Sequence, residues 1–287
     1  MPSLRDYRRR IRTDQNIGKV TNAMSLVAGA KMRRAQQAIL STRPYAAKMN
    51  ELLSHLAAMP MGDLDEVPPL LRRRPVQKIA VVHITPDRGL CGGLITNINR
   101  RTAQFLVQTP GQASVVTVGR KGRDFIARFG RDLTAAFTNL GERPSLLDTL
   151  PISKIVIDEF GKGNVDAVYL AYTEFVNTAV QRPVVKQLLP VEPAPISREH
   201  LTGYIYEPDP LTVLNALLPR IVEMQIYAAV LESIASEQSA RMVAMKAATD
   251  NAKELVRTLT LEMNKVRQAS ITSELLDIIG GSLGVQK

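Results

Sequence analysis

A sustained repeat of apolar side chains near the end of the sequence most restricts what this chain can fold into. Fifteen positions follow one another at alternating steps of four and three residues, and thirteen of them are apolar when alanine is counted. They are Leu217, Ile221, Met224, Ala228, Leu231, Ala235, Gln238, Met242, Met245, Thr249, Ala252, Val256, Leu259, Met263 and Val266. A 3.5-residue period is typical of a left-handed coiled coil, in which polar positions such as Gln238 and Thr249 set the register.

The predicted C-terminal helix has recognisable ends. Asp209 is a suitable N-cap and Pro210 suits the first helical position, whereas Pro219 predicts a bend in the early turns. Gly280-Gly281 predicts the end of the helix. A helix over 211–279 would be roughly 100 Å long, and so long and narrow an apolar stripe needs a partner helix.

A second stripe of this kind follows the N-terminus. Ser3 and Asp6 form a capping-box pattern that starts a helix, Pro44 predicts a kink or a short break, and residues 59–63 end it. The stripe comprises Ile17, Val20, Met24, Val27, Ala28, Met32, Ala35, Ile39, Ala46, Met49, Leu53 and Leu56. We expect the two terminal helices to pair as an antiparallel coiled coil. The alternative is that each packs on the middle of the chain as an ordinary core helix.

Strands and helices alternate in the middle of the chain, between two proline-rich joints. Apolar runs predict buried strands at 78–84 and 114–118, and an alternating run predicts a strand at 166–176 that can pair with 184–189. Helices are predicted at 94–107, 123–129 and 146–161. This order predicts a parallel sheet with crossover connections. The predicted fold class is α/β: a long antiparallel coiled coil from 1–58 and 210–287, a small Rossmann-like domain at 76–192, and linkers at 59–75 and 193–209.

Positive charge is concentrated in the first fifth of the chain. The formal net charge is +10, and residues 1–58 hold 11 Lys and Arg against 3 Asp and Glu. Such a field attracts nucleic acid, anionic lipid or an acidic protein surface. The mean hydropathy is -0.04, and no stretch approaches the ~18 uncharged apolar residues of a membrane span. The N-terminus lacks the apolar core of a secretory signal.

Residues 85–93 follow the first predicted strand and precede a helix, which is where an α/β protein holds phosphate. The run is not G-x-G-x-x-G and the chain has no P-loop, so a tight structural turn is the favoured interpretation. Cys91 is the only cysteine, which excludes an internal disulfide. It is either a thiol activated by a helix N-terminus or, as we favour, a small packing residue. His83 is expected to be a hydrogen-bonded core or edge histidine, and no catalytic residue, cofactor or metal site is predicted.

Several blocks of sequence carry a resemblance to a known family. They are the N-terminal 9–12, 20–24 and 30–36, the central Asp87–Leu94, and the C-terminal 235–242, 246–252 and 264–272. Together, in this order and from end to end, they resemble the gamma subunits of F-type ATP synthases. The cysteine-containing regulatory insertion of the chloroplast members is absent, and Asn22 stands where the family often has lysine.

The resemblance implies a rotary central stalk that couples ion flow through a membrane ring to ATP synthesis in a catalytic head, without itself being catalytic. The implied partners are the alpha and beta subunits of the head, the epsilon subunit and the membrane c-ring, with one copy of this chain per complex, no nucleic acid and no cofactor. The implied location is peripheral, on the cytoplasmic face of a bacterial plasma membrane, because no transit-like leader precedes the first helix.

The resemblance also implies two sets of contact residues. Those matched to the catalytic ring are Met24, Arg8, Arg9, Arg33, Arg34, Arg241, Gln268, Thr272 and Glu274. Of these, Arg241, Gln268, Thr272 and Glu274 are expected to interact with the region of Met24, a position where an added positive charge impairs coupling. Those matched to the membrane ring are Tyr204 and Glu207.

Two other functions remain open from the residues alone. A basic coiled-coil protein could bind nucleic acid or scaffold other proteins through the arginine-rich run at 7–12, with steeply salt-dependent binding in the first case. An enzyme using the α/β domain would bind its ligand at 87–93.

Overall fold

The structure is a computed structural model that describes residues 3–58, 68–109, 111–192 and 207–285. Five α-helices, five strands and one short 3-10 helix lie in these ranges. In chain order they are α1 (Leu4–Ala58), the 3-10 helix (Pro69–Leu71), β1 (Lys78–Ile84), α2 (Leu94–Gln108), β2 (Gln112–Val118), α3 (Arg120–Phe129), β3 (Asp132–Phe137), α4 (Leu146–Gly161), β4 (Ala167–Phe175), β5 (Gln181–Leu189) and α5 (Pro210–Val285).

The strands form one sheet in the order β3-β2-β1-β4-β5. The first four are parallel and β5 pairs antiparallel with β4, which confirms the predicted sheet and its crossover connections. The sequence analysis missed β3. This edge strand reads Asp-Leu-Thr-Ala-Ala-Phe and alternates between exposed and half-buried positions, so it lacks the β-branched apolar run that revealed β1 and β2.

Helices cover both faces of the sheet, because successive side chains of each buried strand point to opposite sides. On one face Ala80, Val82 and Ile84 of β1 pack with apolar residues of α4, α5 and α1. On the other face Ile79 and Val81 pack with residues of α2 and α3. The buried runs of β1 and β2 therefore form the centre of a three-layer α/β core.

Part of each long helix belongs to this core. Leu53 and Leu56 of α1 and Leu214, Leu218 and Ile221 of α5 lie in the same buried cluster as the sheet. These segments of α1 and α5 pack against the sheet as ordinary core helices, which is the alternative to a coiled coil that the sequence left open. The apolar stretch of α5 is also long and apolar enough to pass for a membrane span, against the sequence-based expectation. This is weak evidence for a span, because core helices pass the same test.

The chain divides into two compact units. Unit 1 comprises Met1–Ala28 and Met242–Lys287, and unit 2 comprises Gly29–Arg241. Both boundaries fall inside the long helices, whereas the sequence-based division assigned each helix whole to a coiled coil. That division remains a prediction.

In unit 1 the two helices run antiparallel. The hydroxyl oxygens of Thr21 and Thr249 are 2.8 Å apart, and Ser25 Oγ donates to the Met242 carbonyl oxygen at 3.1 Å. A Cβ placed on Gly18 would lie 3.5 Å from Ala252 Cβ. Small and hydroxyl side chains therefore line this part of the seam and allow the two backbones to approach closely.

The register of the N-terminal seam differs from the predicted one. Ile17 and Val20, assigned to the seam for their apolar character, are 47% and 59% exposed, and Val27 is exposed as well. Positions on the inner side of α1 recur at steps of three and four and include Tyr7, Ile11, Gly18, Thr21, Ser25, Ala28, Met32 and Ala35. On α5, by contrast, all fifteen predicted seam positions are buried or half-buried.

The predicted helix starts are confirmed. Asp6 N donates to Ser3 Oγ at 3.3 Å and Ser3 N donates to Asp6 Oδ2 at 3.2 Å, while Thr212 N donates to Asp209 Oδ1 at 2.9 Å. Pro44 and Pro219 lie inside uninterrupted helices, so no break occurs at Pro44. The predicted stop at Gly280-Gly281 is wrong, since α5 continues to Val285; glycine weakens a helix by about 1 kcal/mol but does not force it to end.

Candidate functional site

The turn after β1 is held from within the chain. Asp87 Oδ1 accepts a hydrogen bond from Arg120 N at 2.9 Å, and Asp87 Oδ2 accepts one from Asn139 N at 3.0 Å. The carboxylate thus joins the start of α3 to the loop that follows β3. Both carboxylate oxygens accept hydrogen bonds from backbone amides of the chain itself. This agrees with the prediction that residues 85–93 form a tight structural turn.

Helix α5 covers the edge of the sheet where open α/β domains usually bind ligands. Val230 and Ile234 of α5 lie against Ile84 and Val118, at the carboxyl ends of β1 and β2. Ser236 Oγ also donates to the Thr173 carbonyl oxygen of β4 at 3.1 Å. The crevice that remains there measures about 50 Å³, room for a few water molecules and far less than the several hundred Å³ of a typical ligand pocket.

A largely buried ion pair joins α5 to this turn. Arg241 Nη2 lies 2.7 Å from Glu237 Oε1, with side-chain exposures of 12% and 16%, and it donates to the Gly89 carbonyl oxygen at 3.1 Å. Burial raises the pKa of the Glu237 carboxyl, and the Arg241 charge opposes that rise. We call the Glu237, Arg241 and Gly89 contacts the α5 clasp. The guanidinium of Arg241 is engaged inside unit 2, and its predicted contact with the catalytic ring stays a prediction.

Cys91 lies beside the α5 clasp and is 1% exposed. Burial raises the pKa of its thiol, more than the nearby Arg241 charge lowers it. A thiol held protonated and away from solvent is a poor nucleophile. The structure therefore supports the packing role over the reactive one.

His83 is a satisfied core histidine, as the sequence analysis predicted. Its Nε2 lies 2.9 Å from Asn99 Oδ1 and its Nδ1 lies 3.1 Å from Thr102 Oγ1. Complete burial lowers the pKa of the imidazole to about 4, although the bond to Asn99 favours the charged form. The imidazole is therefore neutral in the folded chain at neutral pH.

This lowered pKa predicts a pH-dependent stability. Below pH 6.5 the unfolded chain binds a proton at His83 that the folded chain refuses until about pH 4, so the contribution is complete above pH 6.5 and is lost as the pH falls towards 4. Between pH 7 and pH 4.5 we expect roughly 2–3 kcal/mol of lost unfolding free energy from this group. Urea unfolding of the wild type and of His83→Gln at both pH values isolates it. If the unfolding free energy falls by the same amount between the two pH values in both proteins, the prediction is contradicted.

The predicted contact residues of unit 1 lie mainly on its surface. Arg8 and Arg9 are exposed and Met24 is half-buried next to the seam residue Ser25. Gln268, Thr272 and Glu274 are exposed on α5, where Thr272 Oγ1 donates to the Gln268 carbonyl oxygen and Glu274 accepts from Ser270 Oγ.

These two groups of contact residues are not neighbours. The Thr21–Thr249 contact sets a register in which Met24 lies opposite about residue 246. The distance along α5 from there to Gln268 is roughly 33 Å at 1.5 Å per residue. Gln268, Thr272 and Glu274 therefore do not contact Met24 directly within unit 1, and their predicted interaction with the region of Met24 stays a prediction.

The remaining predicted residues lie in unit 2 or outside the described ranges. Arg33 and Arg34 are exposed on α1, close to Lys31, which forms an ion pair with Glu142. Glu207 is exposed before α5 begins. Tyr204 lies outside the described residues, as do large parts of the two predicted linkers.

The sequence analysis missed the roles of Glu237 and Asp87. The i, i+4 spacing of Glu237 and Arg241 on a predicted helix was a signal for an ion pair, but nothing in the sequence indicated its carbonyl partner. Within the described ranges, no group of three or more His, Cys, Asp or Glu is arranged to hold a metal ion.

Comparison with known proteins gives consistent matches over nearly the whole chain. A family model described as "ATP synthase" matches residues 3–284. The "ATP synthase gamma chain" of Dehalococcoides mccartyi strain 195 is 57% identical over 282 residues, which cover 98% of this chain and 99% of that protein. The "ATP synthase gamma chain" of Chloroflexus aurantiacus strain J-10-fl is 49% identical over 285 residues, or 98% of both chains.

Solved structures match as well. A chain of the central stalk and c-ring structure of Tetrahymena thermophila mitochondrial ATP synthase has a TM-score of 0.61 and 25% identity, covering 80% of this chain and 99% of that chain. A chain from the Euglena gracilis mitochondrial ATP synthase has a TM-score of 0.69 over 98% of this chain and 94% of that chain. At 21% identity the second match indicates a shared fold only.

Proposed function

This chain belongs to the family of ATP synthase gamma chains, and from that premise we propose that it is the rotary central-stalk subunit of an F-type ATP synthase. In this role it couples ion flow through a membrane ring to ATP synthesis in a catalytic head. The observation that carries the proposal is the end-to-end match, over residues 3–284 of the 287.

The paired helices of unit 1 suit such a role. Two helices joined along a close-packed seam resist twisting better than one. Two helices side by side are wider in one direction than in the other, and the pair exposes apolar side chains at Ile17, Val20 and Leu26 and charges at Arg8 and Arg9. A rotating element shifts its neighbours between states only if it contacts them differently at each angle, and this uneven surface supplies such differences.

We propose that the chain is itself non-catalytic. One support is the sheet edge, where α5 occupies the usual ligand crevice and leaves a cavity of about 50 Å³. The other is Asp87, whose carboxylate oxygens accept hydrogen bonds from backbone amides. On this view the α/β unit is a structural body that orients the turn at 87–93 and α5. Nucleotide chemistry is then left to other subunits of the complex.

The proposed partners are the alpha and beta subunits of the head, the epsilon subunit and the membrane c-ring, with one copy of this chain per complex. The exposed arginines Arg8, Arg9, Arg33 and Arg34 would face acidic surfaces of the catalytic ring, and Tyr204 and Glu207 would face the membrane ring. The complex is membrane-associated, and we propose the cytoplasmic face of a bacterial plasma membrane as the location of this chain.

Native mass spectrometry of the complex tests this function. The tagged chain, isolated from its own cells in mild detergent, is expected in an intact assembly that contains one copy of it and several nucleotide-binding subunits. Recovery of the chain alone, as a homo-oligomer or with nucleic acid would overturn the proposal. The last outcome would favour a basic coiled-coil nucleic-acid-binding protein.

A further inference from the structure

A row of three polar side chains on α5 faces the hairpin formed by β4 and β5. Glu232, Ser236 and Ser239 follow one another at steps of four and three residues, which places them on one face of the helix. Ser236 Oγ donates to the Thr173 carbonyl oxygen at 3.1 Å, and Ser239 Oγ donates to the Thr178 carbonyl oxygen at 2.7 Å. Two members of the row therefore attach α5 to the backbone of the hairpin.

Glu232, the first member of the row, has an oxygen that lacks such an attachment. Its Oε2 is buried, and among the described residues no donor forms a hydrogen bond with it. The neighbouring residues Leu231 and Ser233 are buried as well. An ionised oxygen held away from water without a partner costs free energy. The ionised form of Glu232 therefore weakens the contact that the other two members of the row make.

Four titratable side chains from three elements face Glu232. Tyr172 and Glu174 come from β4, Lys186 from β5 and Arg43 from α1. The Lys186 ammonium pairs with Glu174, since Nζ lies 2.8 Å from Oε1, and it lies 5.6 Å from the centre of the Tyr172 ring. Lys186 and Arg43 are exposed, so neither cation compensates the buried Oε2 of Glu232.

The folded chain holds a proton on Glu232 more tightly than the unfolded chain does. Burial raises the pKa of this carboxyl above its ordinary value of 4.5, and the negative charge of Glu174 adds to the rise. The charges of Lys186 and Arg43 and the Phe175 backbone amide oppose it. The stability that the proton adds is complete below pH 4.5, and it is lost as the pH rises through the higher pKa of the folded chain.

We propose that Glu232 is a proton-controlled latch between α5 and the β4–β5 hairpin, which is closed when the carboxyl is protonated and loosened when the proton leaves. A neutral carboxyl lies in the buried site at little cost and leaves the Ser236 and Ser239 hydrogen bonds intact. An ionised carboxylate draws in water or moves outwards, which pulls on the same face of α5. The attachment of α5 to the sheet then depends on pH. This inference goes beyond the proposed function and does not rest on it.

Glu232→Gln mimics the protonated side chain at every pH and so keeps the latch closed. We expect the thermal midpoint of the purified full chain, taken relative to that of the wild type, to rise by roughly 2–4 °C between pH 5 and pH 8. His83 is present in both proteins, so its own titration cancels in the comparison. A difference between variant and wild type that is the same at both pH values would overturn the latch.

Glu254→Gln provides the matched control. It removes an exposed carboxylate from the same helix, and we expect no pH-dependent difference from the wild type. If the purified chain aggregates, amide hydrogen exchange of residues 228–236 in the assembled complex replaces the thermal midpoint. At pH 8 we expect exchange in the wild type to be about threefold or more faster than in Glu232→Gln. Equal exchange rates in the two proteins would overturn the latch.

Lys186→Gln tests the surroundings of the latch. This change removes a positive charge that favours the ionised form of Glu232, so protonation becomes easier. In this background we expect the effect of Glu232→Gln on the thermal midpoint to develop at a higher pH than in the wild-type background. An unchanged pH, or a shift to lower pH, would overturn the place of Lys186 beside the latch.

Discussion

Gly119→Ala is expected to lower the free energy of unfolding of the full chain by about 3 kcal/mol or more. Gly119 joins β2 to α3 with a φ of +98°. A Cβ at this position would overlap the Thr85 carbonyl oxygen and lie 2.8 Å from the Thr85 carbonyl carbon. Backbone atoms cannot move aside as a flexible side chain can, so β1 and β2 would have to separate at the edge that supports α5.

Gly130→Ala is the matched control for this prediction. Gly130 also has a positive φ, +71°, but nothing lies within 4 Å of its added Cβ, so only the strain of about 1–2 kcal/mol is expected. Denaturant unfolding gives the loss of unfolding free energy in each variant, and the difference between the two losses is the effect of steric overlap. If Gly119→Ala fails to fold, the soluble yields of the two variants are compared instead. Similar losses in the two variants would disprove the overlap.

The sequence predicted the α/β sheet well because its central strands are buried on both faces. Val81 and Val82 belong to a run with no polar residue before His83, and such a run has few alternatives to a buried strand. The helix starts were predictable for a similar reason, since a capping pattern such as Ser3 with Asp6 is local in sequence. The edge strand β3 has neither signal, and only its pairing with β2 makes it a strand.

The seam of α1 shows where apolar patterning misleads. Ile17 and Val20 are larger and more apolar than Gly18 and Thr21, yet the latter face α5. Close packing of two backbones favours small side chains in the seam, so the larger apolar side chains of Ile17 and Val20 lie on the outer surface of the helix pair. Apolar side chains on the outer surface are expected when another protein surrounds the helix pair, and a single-chain pattern cannot reveal that partner.

The α5 clasp was unpredictable for a different reason. Arg241 and Glu237 are 152 and 148 positions from Gly89 in the sequence, and their contact depends on how α5 crosses the sheet edge. The family resemblance identified both the turn and the block around Arg241 as distinctive, but it assigned Arg241 to an external surface. Only the three-dimensional placement indicates that the two blocks contact one another inside unit 2.

Met24→Lys is expected to reduce the ions pumped per ATP hydrolysed about threefold or more, while ATP hydrolysis by the complex continues. Met24 is half-buried beside the tightly packed seam of unit 1, so a lysine can extend its charge outwards. A new charge-assisted hydrogen bond to an acidic neighbour is worth about 1.5–3 kcal/mol. The chain would then favour one angular position over the others, and leaving that position would meet a higher barrier. A barrier raised by 1.4 kcal/mol slows a rotational step about tenfold.

Two variants separate the charge at Met24 from its other effects. Met24→Gln keeps a long polar side chain without charge and is expected to couple much as the wild type does. Val107→Lys adds the same charge at an exposed position on α2 in unit 2 and is expected to have no effect. The comparison measures ion pumping and ATP hydrolysis in the same vesicles. Equal losses in Met24→Lys and Met24→Gln would assign the effect to lost packing, and wild-type coupling in Met24→Lys would remove Met24 from the contact surface.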